Sequence, residues 1–76
     1  MIEIDVHGMT KVEAKTAVER LIASLPESEK EVRIIHGYRS GTVLREAIQS
    51  PNFIRSKRFM RKKFTMNRGE TIYELY

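Results

Sequence analysis

His7 and His36 stand 29 positions apart, and each is followed at once by a glycine and soon after by the start of a helical pattern. Histidine titrates near neutrality, so two such rings brought together can serve as base and acid at cellular pH. Asp5 precedes His7 by two positions. On a strand that spacing puts both side chains on one face, about 6.5–7 Å apart and within joint reach of one phosphodiester. The carboxylate can orient the imidazole, activate a water directly, or hold a divalent cation such as magnesium or manganese. Asp5, His7 and His36 are therefore the candidate catalytic residues. One aspartate and two histidines do not by themselves specify a metal, and Asp5 can equally do no more than receive a backbone amide. The histidines, likewise, can simply cap strand ends.

The elements that must position these residues are legible from periodicity. Ile2, Ile4 and Val6 alternate with Glu3, Asp5 and His7, the period of a strand with one buried face. Thr10 and Glu13 have the spacing of a capping box, after which Ala14, Ala17, Val18, Leu21, Ile22 and Leu25 recur at helical spacing until Pro26. VRIIH, residues 32–36, reads as a second strand, parallel to the first through a helical crossover. A second helix is expected from Gly41 or Thr42 to about Gln49, burying Val43, Leu44, Ala47 and Ile48. RFMRKKF, residues 58–64, and TIYEL, residues 71–75, read as a hairpin joined through Asn67, Arg68 and Gly69. The order is βαβαββ. Both His-Gly pairs then fall at the carboxyl ends of strands, where an open sheet binds ligands and helix N-termini favour anions. Gly8, Gly37 and Gly41 would let backbone approach a phosphate closely.

With 76 residues and no cysteine, the chain can bury only a thin core and has neither disulfides nor thiolate-bound zinc to reinforce it. No basic leader with an apolar run occupies residues 1–25, and no stretch is long and apolar enough to span a bilayer. The expectation is a soluble cytoplasmic protein that avoids membranes, organised as a single domain over residues 1–76. The formal charge of +4 is unevenly spread. Residues 1–32 carry four basic and seven acidic side chains, net −3, and residues 33–76 carry ten basic and three acidic, net +7. A basic half with Phe59, Phe64 and Tyr73 interleaved is what a groove for a phosphate backbone and exposed bases needs, although the same aromatics can be core.

Taken in order, Ile4-Asp5-Val6-His7-Gly8, Glu13-Ala14, His36-Gly37 with Gly41, Leu44-Arg45, and Gly69-Glu70-Thr71 resemble the small MutS-related (Smr) domain family over nearly the whole chain. The family's LDLHG strand end reads IDVHG here. Its HGxGxG loop reads HGYRSG, with Arg39 in place of the middle glycine. The resemblance implies a two-layer α/β (α+β) sandwich, with two helices on one face of a four-stranded mixed sheet. It also implies DNA or RNA binding and, in several relatives, nicking or endonucleolytic cleavage through Asp5, His7 and His36. The chain is expected to be a stand-alone short member, a monomer or weak homo-oligomer. Gly8, Gly37 and Gly41 would shape the site, Tyr38 would stack on a base, and Arg39, Arg58, Arg61, Lys62, Lys63 and Arg68 would hold phosphates. The alternative is a non-catalytic nucleic-acid or ribosome-binding module that uses the same phosphate pocket.

Overall fold

A computed structural model describes residues 1–37 and 42–76, and of Thr42 its backbone alone. The chain runs β1 (Ile2–Asp5), α1 (Lys11–Ser24), β2 (Glu31–Ile35), α2 (Thr42–Gln49), β3 (Phe59–Phe64) and β4 (Glu70–Leu75). The sheet order is β1-β2-β4-β3, with β1 parallel to β2 and the other neighbours antiparallel. This is the expected mixed four-stranded sheet with two helices. Its topology gathers the carboxyl ends of β1, β2 and β3 and the amino end of β4 at one rim.

The two faces of the sheet differ because strand side chains alternate. On the helix side, Val32 opposite Tyr73 and Ile34 opposite Thr71 are fully buried with Val18, Ile22 and Ile48 from the helices. The Tyr73 hydroxyl donates to the Ile48 carbonyl at 2.5 Å, tying β4 to α2, and the Tyr73 ring meets Phe59 edge-on at 4.8 Å. The other face carries charge. Arg33 pairs with Glu3 at 2.9 Å and lies 3.4 Å from Glu70, Lys63 pairs with Glu31 at 2.8 Å and lies 3.7 Å from Glu74, and Arg61 bonds Glu74. Cross-strand neighbours of opposite charge thus run from edge to edge, each pair at an exposed surface contributing under about 1 kcal/mol.

One helix departs from its expected packing. Leu44 and Ile48 are buried, but Val43 is 60 % exposed, because in an eight-residue helix resting on one stripe the position next to Leu44 is turned about 100° away from the core. α1 is capped as its sequence requires, with Glu13 N donating to Thr10 Oγ1 at 3.1 Å and Thr10 N to Glu13 Oε1 at 2.9 Å. Its carboxyl end has no basic residue of its own. Arg58, just before β3, supplies one, donating to the carbonyls of Leu25 and Glu29 at 2.9 Å each and of Pro26 at 3.3 Å. Leu25 is the residue that ends α1, and Pro26 and Glu29 belong to the turn that follows, where the Pro26 carbonyl also accepts the Glu29 amide at 3.0 Å.

Candidate functional site

The first His-Gly segment is a tight turn held from both sides. Val6 N extends the ladder to the Ile35 carbonyl at 2.8 Å, and Met9 N closes the turn onto the Val6 carbonyl at 3.0 Å. Gly8 has φ +81°, the value a type II turn demands at its third position and one that side-chain-bearing residues avoid. The capping box of α1 follows immediately, so His7 is anchored by a sheet on one side and a helix start on the other. Its side chain remains 72 % exposed. Asp5 Oδ1 accepts two bonds from His7, the backbone amide at 3.0 Å and ring Nδ1 at 2.6 Å. These hydrogen bonds, the ring's first, hold the Asp5 carboxyl below the ordinary carboxylate range. An ionised carboxylate only accepts, so Nδ1 carries the proton and Nε2 of the neutral ring presents a lone pair to solvent.

The second segment has the same sequence signature and the opposite environment. His36 is 1 % exposed. Its Nδ1 bonds the Gly37 carbonyl at 2.7 Å, and its Nε2 bonds Thr71 Oγ1 at 2.9 Å. Gln49 Nε2 donates to the same threonine oxygen at 3.0 Å. One assignment satisfies every group: Gln49 donates to Thr71, Thr71 donates to His36 Nε2, and His36 Nδ1 donates to the Gly37 carbonyl. The expectation that both imidazoles face one substrate is therefore corrected, since the His36 ring is sealed in the core with both nitrogens in use. Strand parity is the cause. His36 lies two positions after Ile34 and on its buried face, whereas His7 follows Val6 by one and points away from it.

The segments themselves do meet. A Cβ on Gly37, at φ +76°, would lie 3.8 Å from the His7 Cβ. The Gly69 carbonyl accepts the amides of His36 at 2.9 Å and Gly37 at 3.0 Å, and Gly69 N donates to Asn67 Oδ1 at 2.8 Å. Exposed Arg68 is thereby carried on the same rim as His7. Among the described residues no three His, Cys, Asp or Glu side chains are grouped to hold a metal ion. Asp5 and His7 offer two donors, which does not fit a resident cation held by protein alone.

The remaining predicted contacts divide. Arg58 is committed to the end of α1, and Arg61 and Lys63 are paired with carboxylates on the open face, so these three are not free phosphate ligands. Lys62 sits on the helix side of edge strand β3, opposite Tyr73 in register. Phe59 and Tyr73 are core, whereas Phe64 is 61 % exposed. Tyr38, Arg39 and Gly41 lie outside the described residues. Sequence reasoning missed Gln49, which completes the bonding of Thr71. Thr71 itself shares the two-residue period of Tyr73 and Leu75, which marks it as inward.

With the arrangement in view, comparisons with known proteins are decisive. The sequence profile of the Smr domain matches residues 4–66. The chain belongs to the Smr domain family. That family is associated with nucleic-acid binding and nicking. Among solved structures, the Smr domain of Thermus thermophilus MutS2 is similar at a TM-score of 0.82 and 26% identity, covering 100% of this chain and 99% of that one. No curated protein sequence matches the chain. Among the described residues of this Smr domain, no helix is long and apolar enough to cross a membrane.

Proposed function

We propose that this Smr domain binds a DNA or RNA strand at the rim carrying Asp5, His7, Gly37 and Arg68, and that His7, oriented by Asp5, acts on a phosphodiester held there. The observation that carries the reading is the Asp5–His7 pair. A carboxylate at 2.6 Å fixes the tautomer of an exposed imidazole and leaves its Nε2 available as a base. In hydrolysis, Nε2 takes a proton from a water whose oxygen attacks phosphorus. The P–O bond opposite breaks, and the leaving oxygen takes a proton from solvent. Asp5 stabilises the imidazolium that forms. Gly8 and Gly37 keep the turn open to the backbone of the strand, and Arg68 and Lys62, which form no ion pair among the described residues, supply positive charge.

The burial of His36 favours a second reading, in which the same rim holds a phosphate without breaking it. With one ring inside the core, the site has a base and no matching imidazole acid. One experiment separates the two. Labelled single-stranded RNA, supercoiled plasmid and branched DNA are incubated with the protein in magnesium, manganese or chelator, beside Asp5→Ala and His7→Ala variants. Cleavage is expected to fall about 10²- to 10⁴-fold in His7→Ala, the span that one acid–base group contributes. Equal cutting by all three proteins would remove the catalytic reading, and binding without any cutting would establish the second.

A further inference from the structure

We propose that the cavity between α2 and the β3–β4 connection receives one unpaired nucleobase, so that the nucleic acid bound at the rim is single-stranded or has a base swung out of its stack. The inference rests on the nucleic-acid reading above and specifies the state of the strand. The cavity, about 290 Å³, is lined by Arg45, Gln49, Phe64, Thr65, Asn67 and Arg68, and equally by Glu46 and Glu70. That volume is at the small end of ligand pockets, suited to one flat heterocycle and too small for a base pair.

Three features point to a base rather than a phosphate. Phe64 closes β3 with its ring 61 % exposed, whereas its neighbours Phe59 and Tyr73 are packed in the core. An exposed aromatic in a cavity that Arg45 and Arg68 also line offers a stacking platform that any base can use. The two arginines share the lining with Glu46 and with Glu70, which also lies 3.4 Å from Arg33, so the cavity carries both signs of charge and suits an uncharged ring better than an anion. Gln49 supplies the polar contact. Its Nε2 is committed to Thr71, and Thr71 is fixed in turn by buried His36, so the amide oxygen of Gln49 is left as a positioned acceptor for a base N–H. The second histidine motif thus acts as a positioning element for the cavity. A base inside a duplex has both faces covered by its neighbours and cannot reach Phe64 without leaving the stack.

The cavity also lies on the rim that faces the backbone. Arg68 and Asn67 line it from the turn whose Gly69 carbonyl binds Gly37, and Gly37 in turn lies against His7. A strand with one base in the cavity and a phosphate at His7 would cross this turn, with Arg68 between the two.

The test is fluorescence anisotropy with a labelled single-stranded oligonucleotide and a blunt duplex of the same sequence, using wild type, Phe64→Ala and Phe64→Tyr. Phe64→Ala is expected to weaken single-strand binding about 5- to 150-fold, the loss of one base stack, and duplex binding by less than about twofold. Phe64→Tyr, which keeps the ring, should stay within about threefold of wild type. Phe64 is exposed, and a thermal melt of each variant verifies the fold. The proposal is overturned if Phe64→Ala binds the single strand like wild type, loses both probes by the same factor, or if wild type prefers the duplex. Wild type binding neither probe is a distinct result, and it overturns the nucleic-acid reading itself.

Discussion

His7 and His36 share a motif and an edge of the sheet, yet one ring is 72 % exposed on its side chain and the other is buried at 1 %. The difference comes from one position of strand phase. Val6 takes the last inward place of its strand and pushes His7 to the surface, whereas Ile34 hands the next inward place to His36. Two copies of a short signature thus acquire separate tasks. The exposed copy presents a base oriented by a carboxylate, and the buried copy fixes Gly37, Thr71 and Gln49 around it. A buried polar ring is tolerable because each nitrogen has a partner; removing one partner would leave a desolvated group worth about 1–3 kcal/mol.

This contrast can be broken or sharpened by substitution. The largest effect is expected for His36→Ala, which leaves a ring-sized cavity and unpartnered polar groups at Thr71 and Gly37, destabilising the fold by about 3–5 kcal/mol in urea unfolding. His7→Ala should stay within about 0.5 kcal/mol of wild type in the same measurement. Equal losses would erase the proposed division of labour. The arginines repeat the pattern at smaller scale. Arg58→Ala frees the carbonyls of Leu25, Pro26 and Glu29 and should cost about 2 kcal/mol while leaving the salt dependence of nucleic-acid binding unchanged. Arg68→Ala should leave the urea midpoint alone and reduce the slope of log K against log salt by about 1. A slope lost at Arg58 and kept at Arg68 would reverse the assignment.

The smallest effect concerns acid. The Asp5 carboxyl titrates lower in the folded protein than in an unfolded chain, because His7 hydrogen-bonds its ionised form. The sign follows: the pair favours folding above the unfolded value and loses that contribution as the pH falls through the folded one. Asp5→Asn should therefore lower stability above about pH 4 and flatten the profile below it, so that the two curves converge in acid. Parallel curves for the two proteins would mean that the carboxylate contributes nothing specific.

Much of the architecture was readable because hydrophobic period and punctuation agreed. Thr10 and Glu13 announced a helix start that the structure realises as a reciprocal cap, and the runs VRIIH and TIYEL marked two strands, whose antiparallel pairing with each other only the structure shows. The site was legible as a pair of segments, since the topology brings the ends of β1 and β2 together. Ring direction was obscured by treating the two His-Gly pairs as equivalents, although the step from Ile34 to His36 already carried the parity. The basic half was less legible for a different reason. Charge counts ignore register, and register sets Arg61 opposite Glu74 and places Lys63 between Glu31 and Glu74. Arg58 could not be recognised as a helix cap without the long-range approach of β3 to the end of α1. A register shift between Phe59 and Arg61 puts Phe64 on the same face as Phe59, five positions earlier, an irregularity that no composition reports.

Position 69 shows what close quarters impose on inheritance and engineering. A methyl group there would crowd Asn67 Oδ1 at 3.3 Å and touch the Gly37 backbone at 3.6 Å, while the carbonyl must still receive two amides from the neighbouring segment. A residue that touches no ligand would then disturb both histidine turns together. In a saturation screen, Gly69 should tolerate as little change as the dyad it supports, whereas the open Gly8 turn two strands away offers a methyl group empty space and is limited only by its backbone angle.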